Sequence, residues 1–93
     1  MNKKRNRLEV IRDILEVIRN RSGRIKPTHI LYKSNLSYKM MMEYMDELIE
    51  KQMITEGKLA NGKTYSITDK GLKYLSEYES IVRFTESFGL ERE

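Results

Sequence analysis

The chain of 93 residues contains no cysteine, and that absence removes a disulfide framework, a thiolate zinc site and a thiol nucleophile together. A reducing cytoplasm fits such a composition. Histidine occurs once, as His29, with no evident carboxylate triad around it, and the chain has no glycine-rich phosphate loop. No enzymatic activity is therefore expected, and no cofactor or metal. Long apolar runs are missing too: Leu8 to Ile18 is interrupted by Glu9, Arg12, Asp13 and Glu16, so nothing resembles a signal peptide or a membrane span. The length leaves room for one domain with a modest core and not for a second.

Charge is abundant. Lysine and arginine number 18 against 14 acids, a net charge of +4, and 39% of residues are hydrophobic, enough to fold. The distribution is lopsided. Residues 1–39 hold eleven basic side chains against three acidic ones, whereas residues 40–93 hold seven against eleven. One end of the molecule is thus a candidate surface for a polyanion; a merely solvated face would read the same way, and position in the fold decides between them.

Leu8, Ile11, Ile14, Leu15 and Ile18 recur at helical spacing, predicting a first helix that stops near Ser22-Gly23. Arg19 and Arg21 suit the negative end of its dipole. After an extended piece from Arg24 to Lys26, Pro27 opens a brief second helix through Thr28, Ile30, Leu31 and Tyr32. Ser34 to Leu36 makes a turn, and Ser37 caps a third helix running to about Lys51, with Met41, Tyr44, Met45, Leu48 and Ile49 facing inward. Extended segments Met53 to Ala60 and Lys63 to Thr68 flank Asn61-Gly62, a pair that favours a two-residue hairpin turn. Thr68 caps a last helix that reaches Phe88 or Gly89.

This order of elements, mainly α with a small β-hairpin (α+β), is that of a winged helix-turn-helix with an extended C-terminal helix. The stretch Leu36-Ser37-Tyr38-Lys39 leading into Tyr44-Met45, with Leu48-Ile49-Glu50-Lys51 before Met53-Ile54, resembles the recognition helix and strand entry of small archaeal winged-helix DNA-binding proteins. Tyr65-Ser66-Ile67-Thr68-Asp69-Lys70-Gly71 is similar to their wing strand and the start of their last helix, a motif shared by many winged-helix regulators. The resemblance implies binding of double-stranded DNA as a homodimer held by a C-terminal antiparallel coiled coil, although the final helix is shorter here than a long coiled-coil arm. Residues 1–71 would form the DNA-binding part with its basic arm, and residues 72–93 a dimerisation helix of the same domain.

In such a motif the start of the second helix of the pair approaches base edges. Ser37, Tyr38 and Lys39 are the leading candidates, followed by Met40, Met42 and Glu43. Lysine reaches a phosphate or a guanine edge, tyrosine a phosphate or sugar, methionine a thymine methyl group. Packing beside the helix start is the alternative for Tyr38, and core filling the alternative for the methionines. The acids Glu43, Asp46, Glu47 and Glu50 oppose insertion of the whole helix, so only its first turns should enter a groove.

Three further clusters are expected to touch the DNA backbone: the arm Lys3, Lys4, Arg5 and Arg7; the second-helix group Lys26, Thr28, His29 and Lys33; and the wing tip Lys58, Asn61 and Lys63. Each has a plainer alternative, as solvated tail, ordinary surface or edge protection. Neutralising roughly six to eight phosphates would give a logarithmic salt slope of about −5 to −7.

In the last helix Tyr74, Tyr78, Ile81, Thr85 and Phe88 fall at alternating intervals of four and three, the spacing of a coiled-coil seam, with Val82 beside them. A two-fold homodimer is expected, with folding back onto the first helix as the alternative. The functional expectation is duplex DNA binding, by a transcriptional regulator residing with the nucleoid in the cytoplasm. An architectural chromatin protein and a winged-helix protein-interaction module are the alternatives. No small-molecule effector is identifiable.

Overall fold

Helix α1 (Arg7–Asn20) begins on a capping box: the Asn6 side chain accepts from the Glu9 amide, and the Glu9 carboxylate accepts from the Asn6 amide, both at 2.8 Å. A computed structural model describes residues 5–21, 24–60 and 62–90 of the chain. Its further elements are α2 (Pro27–Ser34), α3 (Tyr38–Glu50), β1 (Ile54–Leu59), β2 (Gly62–Ile67) and α4 (Asp69–Ser87), the expected succession of four helices and a hairpin. Arg21 caps α1; Ser22 and Gly23, where the stop was expected, lie outside the described residues. Ser34 is the last residue of α2 and not part of the turn, which narrows to Asn35 and Leu36.

The apolar stripe of α1 buries Val10, Ile11, Ile14, Leu15 and Ile18, and one core gathers around it. Ile25 and Ile30 come from the approach to α2 and from α2 itself, Met41, Met45 and Leu48 from α3, Ile54 and Tyr65 from the hairpin, and Leu75 from α4. Each fully buried side chain of this size stabilises the fold by about 1.5–3 kcal/mol relative to an exposed one. The expected inward stripe of α3 is observed, with Tyr44 and Ile49 half-buried at its margins.

The hairpin is antiparallel, with Ile54 opposite Ile67 and Leu59 opposite Gly62, so Gly62 already belongs to β2. The pairing is therefore shifted by one residue from the one an Asn61-Gly62 turn would set, and Gly62 takes a left-handed φ of 132°. Core packing decides this register. A turn at 61 and 62 would set Ile67 opposite Glu56 and Ile54 opposite Asp69, separating the apolar pair that closes the base of the hairpin. A third extended segment joins at one point, where the Tyr65 amide donates to the Ile25 carbonyl at 3.1 Å.

Helix α4 starts where Thr68 accepts from the Gly71 amide at 3.1 Å. Gly71 is buried, and a Cβ there would stand 2.4 Å from the Met53 carbonyl oxygen, so only glycine lets the helix sit this close to the hairpin base. Further along, the Tyr74 hydroxyl donates to the Leu8 carbonyl at 2.9 Å, and its ring lies 6.2 Å from that of Tyr78, over which the Arg12 guanidinium sits at 5.1 Å. Beyond Tyr78 the helix carries exposed Ile81, Phe84 and Phe88.

Arg5 ties α1 to the end of α2 from outside the helix it precedes. One guanidinium nitrogen donates to the Asp13 carboxylate of α1 at 2.6 Å, another to the Ser34 carbonyl at the end of α2 at 2.7 Å. Arg12 donates to the other oxygen of Asp13 at 2.8 Å. The bond to Ser34 satisfies a carbonyl that the end of α2 leaves without a helical partner.

Two outcomes are expected. Arg5→Ala should lower unfolding stability by about 1–2 kcal/mol, read from the urea midpoint, because it leaves both a carboxylate and a helix-end carbonyl short of a donor. The Tyr74 phenol is held above its ordinary value, first by burial and then by Tyr78. Its contribution is thus complete below the unfolded value of about 10 and is lost as pH rises through the folded one. Tyr74→Phe should cost about 0.5–1 kcal/mol near neutrality and flatten the loss of stability above pH 10, as urea titrations at several pH values will show.

Candidate nucleic-acid interface

The turn between α2 and α3 is built by two local devices. Asn35 adopts the left-handed conformation at φ 56° and its amide donates to the Leu31 carbonyl, which ends α2. Ser37 then accepts from the Met40 amide at 3.2 Å and starts α3. Helix α3 lies on the core through Met41, Met45 and Leu48 and turns Tyr38, Lys39, Met40, Glu43, Asp46 and Glu50 outward. Tyr38 is 63% exposed. Met40 is likewise exposed, whereas Met42 is half-buried against the core.

The cations of the basic half divide into two sets. Arg5 and Arg12 share Asp13, and Arg7 pairs with Glu47 on the later part of α3 while its guanidinium lies over the Tyr44 ring at 5.9 Å. Glu47 raises the Arg7 pKa, by hydrogen bonding first. Arg5 and Arg7 are therefore engaged inside the chain, Arg5 at the Ser34 and Asn35 carbonyls that lead into α3 and Arg7 on the later part of α3; Lys3 and Lys4 lie outside the described residues. Arg19, Arg21, Arg24, Lys26, Lys33 and Lys39, joined by Lys58 of the wing, form the second set, with no ion pair among the described residues.

Of this second set, Lys33 lies on the last turn of α2 and Lys39 on the first turn of α3, whereas Arg21, Arg24 and Lys26 lie at the start of α2. Lys26, His29 and Lys33 recur at intervals of three and four along α2, hence on one face. Arg21, Arg24, Lys26, Thr28 and His29 line a cleft of about 240 Å³. In the wing Lys58 stands directly opposite Lys63, whose ammonium pairs with Glu56 at 3.0 Å. That bond is the first cause of the raised Lys63 pKa, and the Tyr38 phenol also acts on both Lys63 and Tyr65, which sets the wing beside the start of α3. The bridge between Ile25 and Tyr65 ties the segment bearing Arg24 and Lys26 to the strand bearing Lys63. Asn61 lies outside the described residues.

Three side chains of this surface escape sequence reasoning. Arg21 reads as a helix-dipole partner and Arg24 as part of an extended link, yet both line the cleft beside α2. Tyr32 reads as one more member of an apolar helix run but is 90% exposed. For the arginines the signal is present, since both lie within a few residues of Pro27. For Tyr32 nothing in the spacing separates it from Leu31.

Among the described residues no helix is long and apolar enough to cross a membrane, and no group of three or more His, Asp or Glu side chains is gathered as a metal site requires. A family model described as winged helix-turn-helix matches residues 4–86. The chain is 30% identical over 82 residues to uncharacterized protein MJ0290 of Methanocaldococcus jannaschii; the match takes in 86% of this chain and 35% of that protein, so the chain spans about a third of this curated relative. Among solved structures, Sso10a-2, a DNA-binding protein from Sulfolobus solfataricus, matches with a TM-score of 0.77 at 23% identity over 90% of this chain and 85% of that one. F93 from STIV, a winged-helix DNA-binding protein, matches with a TM-score of 0.67 at 24% identity over 88% and 92%. At such identities the likeness is one of fold, and a winged helix-turn-helix is not an enzyme family. With the family match covering most of the sequence and the elements standing in the order that family requires, the chain belongs to the winged helix-turn-helix family.

Proposed function

We propose that the chain binds double-stranded DNA as a homodimer and acts as a transcriptional regulator, with residues 1–71 as the DNA-binding part and residues 72–93 as the dimerisation helix. One observation carries the reading: Arg5, Arg7 and Arg12 are matched by carboxylates, while Arg19, at the end of α1, and Arg21, Arg24, Lys26, Lys33, Lys39 and Lys58 around the helix-turn-helix are not. A surface left cationic in this way attracts a polyanion and gains from counterion release. Ser37, Tyr38, Lys39 and Met40 would meet base edges and sugars, and the α2 and wing lysines the phosphates. The names of two structural neighbours, each called DNA-binding, support the same class of partner.

Dimerisation rests on α4. Ile81, Phe84 and Phe88 are all more than 60% exposed on one short stretch of helix, and Ile81, Val82 and Thr85 border an apolar groove of about 370 Å³ beside Leu8. Tyr74 and Tyr78 face α1 of their own chain, so the seam would draw on the later turns of the helix. Two-fold pairing there would set two recognition helices on a roughly palindromic site.

Titration of random duplex DNA at two salt concentrations tests the first part. With six unmatched cations around the helix-turn-helix of each protomer the expected logarithmic salt slope is about −5 per protomer, and Lys39→Ala should reduce it by about 1. Absence of binding at low salt by the folded chain would favour the protein-interaction module instead. For the second part, sedimentation at micromolar concentration should give the mass of two chains, and Ile81→Glu that of one; a monomeric wild type would refute the dimer.

A further inference from the structure

The two edges of the hairpin are not alike. On the β2 side the Tyr65 amide donates to the Ile25 carbonyl at 3.1 Å, so the backbone groups of Tyr65 point away from β1. Glu56 lies opposite Tyr65, which makes this a pair without mutual hydrogen bonds and turns the amide and carbonyl of Glu56 outward as well. By the period of a strand the same holds for Lys58, opposite Lys63, whereas Thr55, Gly57 and Leu59 bond across to β2. Among the described residues no backbone hydrogen bond reaches the outer groups of Glu56 or Lys58, and β1 is exposed throughout beyond Ile54.

An open edge is a template for another strand, and a lysine on it ordinarily discourages pairing. Here a glutamate two places earlier makes the edge complementary to itself. When two copies of β1 meet antiparallel, outward residues must pair with outward residues. Centred on Gly57, the pairing sets Glu56 of each copy opposite Lys58 of the other. Either neighbouring register sets Glu56 against Glu56 or Lys58 against Lys58, which is unfavourable. Gly57 would meet Gly57 at the centre, in the closer kind of pair, with no side chains to hold the backbones apart. The Glu56 carboxylate engages Lys63 through Oε2 at 3.0 Å, which leaves Oε1 for a second cation, and Glu56, Gly57, Lys58 and Lys63 line a cleft of about 250 Å³ there.

We propose that two copies of the chain join edge to edge through β1, Glu56 and Lys58 exchanging backbone hydrogen bonds and ion pairs about a two-fold axis at Gly57. The edge selects its own copy as partner because its charge order, reversed, is its own complement. A contact this short is weak between free molecules and gains where copies are held close together. It is separate from the α4 pairing and needs no DNA. Lysine has three donors, so Lys58 can meet the partner's carboxylate without giving up a phosphate.

Amide NMR spectra of the full chain from micromolar to millimolar concentration, beside sedimentation equilibrium, test it. The amide signals of Glu56 and Lys58 should move most with concentration, and the mass should rise toward twice its micromolar value. Because the micromolar mass is the reference, the outcome does not depend on α4 pairing or on DNA. Glu56→Lys and Lys58→Glu should each weaken the association about tenfold, since each sets like charges opposite one another at both pairs. Mixed in equal amounts they should recover it, since Lys then faces Glu at both. Lys58→Pro should abolish it with the hairpin intact, because the amide removed is an outward one. Circular dichroism confirms folding, and both Lys58 variants leave the pair of Glu56 with Lys63 in place should Glu56→Lys fail to fold. Signals of Glu56 and Lys58 that stay fixed up to millimolar concentration, or a mixture no stronger than its separate components, overturn the proposal and leave the DNA-binding reading standing.

Discussion

Burial of one stripe of α1 is the constraint on which the remaining geometry depends. Ile14, Leu15 and Ile18 are completely withdrawn from solvent, and every other element contributes side chains to the cluster they anchor. Because a 93-residue chain has so small a core, each element must present its apolar face to the same stripe, and its polar face is thereby turned outward. The outward direction of Lys39 and Tyr38 on α3 is a consequence of where Met41, Met45 and Leu48 go. Function in this molecule is the remainder after packing.

The same constraint reaches the wing. Tyr65 is buried with Ile54, and the alternation of a strand then sends Lys63, Glu56 and Lys58 to the same face further toward the tip, where the core has ended. A pair of lysines directly opposite each other is unfavourable in a hairpin considered alone. Glu56 offsets this by pairing with Lys63, leaving Lys58 as the unmatched charge at the tip. The bridge from Tyr65 to Ile25 brings a third extended segment to the free edge of β2, where Arg24 and Lys26 flank the bridging residue.

Much of this was legible in the sequence, because helical spacing and caps are local signals. The stripe of α1, the Ser37 and Thr68 caps and the inward face of α3 follow from residues a few positions apart. The hairpin turn is offset by one residue because its local preference, for Asn61-Gly62, competes with a nonlocal one, the meeting of Ile54 and Ile67. The internal partners of Arg5 and Arg7 escape a sequence reading for the same kind of reason. Arg5 and Arg7 read as members of a basic cluster, but their partners are Asp13, Ser34 and Glu47, as far as forty positions away, and no spacing announces such contacts. The Asn6 and Glu9 capping box, by contrast, was open to a local reading, since Asn-x-x-Glu before an apolar run is a helix-start signature.

Charge along α3 limits how the proposed complex can be arranged. Lys39 heads its outer face and Glu43, Asp46 and Glu50 follow at helical spacing, all exposed. Glu47, the fourth acid of the helix, is matched by Arg7, so that arginine, although on the basic arm, acts to reduce the negative charge the later turns would bring toward phosphates. The three remaining acids repel a backbone brought alongside them. Under the proposed reading the helix would then enter a major groove by its first turn only, with its far end tilted away and the α2 cleft and wing lysines reaching the backbone on either side. A single turn offers few base contacts, each worth about 1–3 kcal/mol of discrimination when well formed. Discrimination from one protomer would accordingly be slight, and a second protomer joined through α4 would double the bases read without requiring a deeper approach by either helix.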